Sequence, residues 1–164
     1  MLINLISHQE LLETLSYSAE TGIFTWKKSP KQGFKAGAKA GCGQKHGHVA
    51  IKINNNRYYA HRLAWFYVHK EWPKYDIDHI DGNPENNKIE NLRDVNRAVN
   101  IQNQRKAHKN NKLGVMGVRE SNGRFRAEIR VKGKAVFLGM FDTTEDAYGA
   151  YLNAKRKLHA GCEI

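Results

Sequence analysis

Cysteine is nearly absent from this chain of 164 residues: Cys42 and Cys162 are its only two, far apart in sequence. With no Cys-x-x-Cys pair, structural zinc and a disulfide framework are both disfavoured, and a reducing compartment fits. No apolar run approaches the ~20 residues that a membrane-spanning helix needs. The first ten residues, Met1 to Glu10, have neither a basic start nor a long apolar segment, so they do not read as a signal peptide. The expectation is a protein that is not secreted and stays in the cytoplasm. The glycines of residues 27–48 include no Gly-x-x-x-x-Gly-Lys-Ser/Thr, which excludes a phosphate-cradling P-loop there. Acidic residues are also scarce, 16 Asp+Glu against 27 Lys+Arg, leaving a net charge of +11. Such a charge is an argument about partners. Because Tyr, Trp and Arg are interleaved with the Lys residues, nucleic acid leads and a membrane surface trails. No protein partner is evident.

What is present falls into two patterned stretches. Residues 8–16 predict a short helix, Ser18 to Gly22 a turn, and Ile23 to Trp26 a strand. Residues 27–48, basic and rich in glycine, predict a surface loop. Val49 to Ile53 alternates as a strand, Asn54 to Asn56 turns the chain, and residues 57–60 return it. Leu63, Ala64, Phe66 and Tyr67 then recur at helical spacing over residues 61–69, ahead of Pro73. Residues 104–112 are polar, basic and without apolar periodicity, as a linker would be. Beyond them, Phe125, Ala127, Ile129 and Val131 alternate with Arg124, Arg126, Glu128 and Arg130. Lys132-Gly133 turns the chain into a return strand over 134–141. Thr143 with Asp146 predicts a capped helix whose buried stripe is Ala147, Tyr151, Ala154 and Leu158, stopped by Gly161.

The densest chemistry lies between residues 78 and 103. Asp78-His79 stands ahead of an Asp81-Gly82 turn, and Asn91 and Asn100 follow. The group supplies a base, an anionic metal ligand and a neutral oxygen ligand, the set that metal-assisted phosphodiester hydrolysis requires. A calcium loop fails, because Ile80 occupies the fifth position counted from Asp76 and no Glu stands at the twelfth. Asp81, Gly82 and Asn83 shape the bend, and Asn86 and Asn87 read as loop-forming. His61 and Arg62 are left open between phosphate contact and packing at the start of their helix. His46, His48, His69, His108 and His159 read as ordinary surface residues.

These residues and spacings resemble the HNH nuclease family of phage and mobile-intron endonucleases. The resemblance implies that His79 is the general base and that Asn91 orients the loop or the histidine. It further implies that Asp78 and Asn100 hold one divalent cation. An oxygen-donor pair of this kind suits Mg²⁺, with Mn²⁺ as a substitute. Residues 114–160 resemble the plant ethylene-response-factor (apetala-type) DNA-binding domain through Gly117-Val118-Arg119, Ala127 to Arg130, Leu138 to Thr143 and the alanine-bearing helix. In that family an exposed three-stranded sheet reads the major groove. Arg119 and Arg130 carry over, Phe137 stands where Trp is usual, and Met116 and Ala135 replace base-contacting arginines.

The expectation is therefore an α+β protein in two parts. Residues 1–103 form an HNH nuclease domain with a ββα-metal core at about 75–103, residues 104–112 a basic linker, and residues 113–164 a small three-stranded antiparallel sheet on one helix. The expected activity is site-specific cleavage of double-stranded DNA, as in a phage homing endonuclease of a bacterial host. Expected DNA contacts are Arg105, Lys106, Lys109 and Lys112 in the linker, and Arg119, Arg124, Arg126, Arg130 and Phe137 on the sheet. A DNA-binding regulator with a vestigial nuclease half, or a phage nuclease without sequence preference, are the rival expectations.

Overall fold

The computed structural model describes residues 5–29, 35–159 and 161–162. The chain folds as two compact units that meet in sequence between Val95 and Asn96. Both are mixed α+β with small antiparallel sheets.

The first unit opens with α1 (His8–Thr14), capped by the Ser7 hydroxyl, which accepts from Glu10 N at 3.2 Å. Helix was expected through residue 16, but Leu15 is already extended and begins β1 (Leu15–Ser18). Pairing decides this: Leu15 lies opposite Trp26 and Ser16 opposite Thr25 of β2 (Ile23–Trp26), and Leu15 is fully buried. The stretch expected as pure loop contributes a short strand, β3 (Cys42–Gly43), on the edge of β4 (Val49–Ile53), while its residues 30–34 lie outside those described. β4 returns as β5 (Asn56–Tyr59) through Asn54 and Asn55, both at positive φ (46° and 65°). That conformation matches the twist of a two-residue hairpin, and asparagine tolerates it.

Helix α2 (Ala60–His69) buries Leu63, Ala64 and Phe66 against Leu11, Phe24 and Ile51. It stops at a left-handed Lys70 (φ 62°), three residues short of Pro73. Trp72 stacks on Phe66 at 4.4 Å between centroids and closes that end of the core. β6 (Asp76–His79) and β7 (Leu92–Val95) form a two-stranded antiparallel pair, joined through a loop that ends in the 3₁₀ turn Ile89–Asn91. Arg62 is structural: its guanidinium donates to the carbonyls of Tyr75 (3.2 Å) and Pro73 (3.5 Å), and so tethers the entry to β6.

The second unit begins with α3 (Arg97–Gln102). Within this unit the helix meets the C-terminal segment, where Gly161 N donates to Gln102 Oε1 at 3.1 Å. Residues 104–112 carry no helix or strand. The sheet follows in order β10-β9-β8, from β8 (Val118–Ser121), β9 (Arg124–Val131) and β10 (Lys134–Phe141). Its turns, Asn122-Gly123 and Lys132-Gly133, all have positive φ.

Helix α4 (Thr144–Leu158) packs on this sheet, capped by the reciprocal bonds of Thr143 and Asp146. Its buried row is Ala147, Tyr151 and Lys155, whereas Leu158 is exposed and Ala154 only half-buried. The i, i+4 row is straight, so the position after Ala154 comes inward. Lys155 buries its stem there and donates its ammonium to the Gln104 carbonyl. The helix stops at His159, which is extended, two residues before Gly161.

One close approach ties the first hairpin to the loop between β6 and β7. Gly22 has φ 70°, and a Cβ there would lie 2.5 Å from the backbone of Asn87 and Lys88. Gly22→Ala should therefore cost about 1–3 kcal/mol in urea unfolding, through backbone strain and the clash together. Gly43→Ala, which meets nothing within 4 Å, should change stability by less than about 0.5 kcal/mol. Equal effects at the two glycines would show that the close approach is unimportant.

Candidate active site

Asp78 and His79 end strand β6, both buried. Across the strand pair, Arg93 stands opposite Asp78 and donates Nε and Nη2 to carboxylate Oδ2 at 2.9 and 2.8 Å. A carboxylate at this depth would be costly alone; the paired guanidinium offsets its charge.

The imidazole of His79 is oriented by a residue expected only to form loop. Asn87, almost fully buried, places its Oδ1 3.2 Å from His79 Nε2. Its own Nδ2 donates to the Glu85 carbonyl at 3.1 Å, which identifies Oδ1 as the acceptor toward the ring. His79 Nε2 therefore carries the proton, and Nδ1 carries the lone pair. The Asn87 carbonyl in turn accepts the Tyr17 hydroxyl at 2.8 Å. Burial, which raises the Tyr17 hydroxyl to about 12, keeps that donor protonated.

The rest of the loop is knitted by short polar side chains. Asn91 Oδ1 accepts from Asp81 N at 3.0 Å, and its Nδ2 donates to Asp81 Oδ1 and the Asn86 carbonyl at 3.0 and 2.8 Å. Asp81 also accepts from Asn86 Nδ2 (2.7 Å) and Asn83 N (2.8 Å). Burial works against ionising Asp81, but these donors prevail and hold its carboxyl below the usual range. Asn91 thus bonds to the loop, and the bond to His79 belongs to Asn87.

Two histidines, one expected at the ordinary surface and one left open, surround His79. His61, in the first turn of α2, is buried, and His48, just before β4, is half-buried. Ring centroids lie 5.2 Å apart for His61 and His79, 5.7 Å for His48 and His79, and 5.0 Å for His48 and His61. Desolvation lowers all three imidazoles, His61 to about 3, with mutual repulsion adding to it at His48 and His61. At His79, the bond to Asn87 and the charges of Asp81 and Asp78 pull the other way. Each of these net shifts favours the neutral ring. The spacing 48-61-79 carries no local motif, which is why the sequence alone did not reveal it.

Asn100 lies on α3, in the second unit. On that unit's sheet, the face away from α4 carries Arg119, Arg126 and Glu128, with both arginines on Glu128 Oε2 at 3.3 and 3.2 Å. Arg126 also lies 4.7 Å over the ring of the exposed Phe137. Arg124 pairs with Asp142 at 2.8 Å, while Arg130 is exposed. His159 bonds the Arg130 carbonyl through Nε2 at 3.0 Å, so it too has a place in the fold. Lys106, Lys109 and Lys112 are exposed, and Arg105 is half-buried.

Residues 58–102 match the family model described as HNH endonuclease, so this segment is an HNH endonuclease domain. Its class is that of DNA endonucleases, hydrolases that generally use a divalent metal. The match takes in β6, β7 and the Asp78-His79 pair, and runs on across the unit boundary to include Asn100. Neither a curated protein nor a solved structure matches the chain.

A group whose pKa is lowered by folding binds more protons in the unfolded chain. His61 therefore favours folding fully above 6.5, and its contribution is lost as pH falls from there toward about 3. In chelator-treated protein, urea midpoints should fall between about pH 7 and pH 4, and fall less in His61→Gln. Identical pH slopes for the two proteins would contradict burial of His61 as a neutral ring.

Proposed function

We propose that this chain is a site-specific DNA endonuclease of the homing type, encoded by a phage, in which His79 is the general base. The observation that carries the catalytic reading is the Asn87–His79 bond, which leaves Nδ1 as the proton-accepting nitrogen of a neutral ring. His79 Nδ1 takes a proton from water as that water attacks phosphorus, the bond from phosphorus to the 3′ oxygen breaks, and the departing 3′ oxygen takes its proton from solvent. Asp78 and Asn100 would hold a hard divalent cation such as Mg²⁺, which supplies charge stabilisation at the phosphate. Both offer oxygen donors, and the buried, ion-paired Asp78 is held in one orientation by Arg93. Asn91 shapes the loop that follows the base.

The sheet of the second unit resembles the ethylene-response-factor domain and is the specificity element of this reading. Its outer face carries Arg119, Arg124, Arg126, Arg130 and Phe137, and residues 105–112 add a basic backbone-tracking stretch. Arginines already paired to Glu128 and Asp142 would exchange those partners for DNA. Sequence preference then rests on base contacts such as that of Arg130, and general grip on Lys106, Lys109 and Lys112.

His79→Ala should lower nicking of supercoiled plasmid in Mg²⁺ by at least ~100-fold, with DNA affinity near wild type in gel-shift titration. Asp78→Ala and Asn100→Ala should each remove Mg²⁺-dependent cleavage, with Mn²⁺ partly restoring the second. Wild-type rates in His79→Ala, or full activity in excess chelator, would refute the assignment. Arg130→Ala should relax preference at particular bases at a cost of ~1–3 kcal/mol, read by cleavage-site mapping. Lys109→Ala should weaken binding to every sequence and lower the salt slope by about one. Unchanged site choice in Arg130→Ala would move specificity away from that side chain.

A further inference from the structure

We propose that His48, His61 and His79 form a binding site for one borderline transition-metal cation of the zinc class, separate from the oxygen donors Asp78 and Asn100. One nitrogen from each ring lies within 4.8 Å of the others. The three come from separate parts of the first unit: the entry to β4, the first turn of α2 and the end of β6. Zinc–imidazole bonds of about 2.0–2.1 Å would draw the nitrogens to about 3.4 Å apart, so the rings need close by little more than an ångström.

Two further observations point to a ligand. Among the described residues, Nδ1 of His48 and Nδ1 of His61 are buried without a hydrogen-bond partner. An unsatisfied buried polar atom costs roughly 1–3 kcal/mol, and here two are gathered beside a third imidazole. His79 is meanwhile held through Nε2 by an amide oxygen, the outer contact typical of a metal-bound histidine. The neutral imidazole is the form that binds a metal ion. Three nitrogen donors select against Mg²⁺ and for zinc, copper or nickel.

Occupation of this site would engage the lone pair of His79, so zinc would silence the nuclease that Mg²⁺ supports. This consequence rests on His79 being the base; the binding itself does not. The test uses the full chain, stripped of metal and titrated with Zn²⁺ against a chromophoric chelator in the absence of DNA. One equivalent should bind, with affinity lowered at least ~10-fold in His48→Gln and in His61→Gln and unchanged in Asp78→Asn. His48 is half-buried, so His48→Gln remains informative if His61→Gln unfolds, and circular dichroism checks both. Equal affinity in His48→Gln, or loss of binding in Asp78→Asn, would overturn the site. In Mg²⁺-supported nicking, added Zn²⁺ should slow the wild type and slow His48→Gln less, each relative to its own rate without zinc. Zinc bound at the three histidines without inhibition would overturn the regulatory role and count against His79 as base. Binding by a chain that cuts no DNA would leave the site standing while the nuclease reading falls.

Discussion

The amide of Asn87 is the constraint on which the catalytic end of the first unit depends. Its side chain bonds His79 on one side and the Glu85 carbonyl on the other, and its own carbonyl accepts the Tyr17 hydroxyl. Gly22 touches the same backbone so closely that no side chain fits between them. The first hairpin, distant in sequence, thus braces the loop that sets the tautomer of His79. The buried amide also keeps that ring from turning.

Electrostatics divides the molecule differently from its net charge. A chain with a charge of +11 still places the buried carboxylate of Asp78 directly opposite an arginine, and sets the imidazoles of His48 and His61 around His79. Exposed positive charge lies on both units, and in the second it includes Lys106, Lys109, Lys112 and Arg130. On the outer sheet face Glu128 gathers Arg119 and Arg126 beside Phe137, which holds the guanidinium groups in place.

Several features could be read directly from the chain. The hairpins at Asn54-Asn55 and Lys132-Gly133, the Thr143–Asp146 cap and the alternation of β9 are all local in origin. Each is set by residues within a turn or two of one another. The departures share a cause as well. Leu15 leaves its helix because Trp26 offers a strand partner, and residues 42–43 become a strand because β4 has an open edge. Lys155 replaces Ala154 and Leu158 in the buried row because a carbonyl at Gln104 awaits its ammonium.

The same division holds for the site. The sequence by itself determined the inventory and order of the chemistry: Asp78 beside His79, then Asn91 and Asn100, within a segment that matches the HNH endonuclease family. A tight turn and fixed spacings suffice for that, because they are local. Only the tertiary structure decided which of four neighbouring asparagines, 83, 86, 87 and 91, holds His79, since all four suit a polar loop equally well. It also decided that His48 and His61 stand around His79. Their meeting depends on how β4, α2 and β6 pack about a common core, a long-range arrangement that no spacing along the chain encodes.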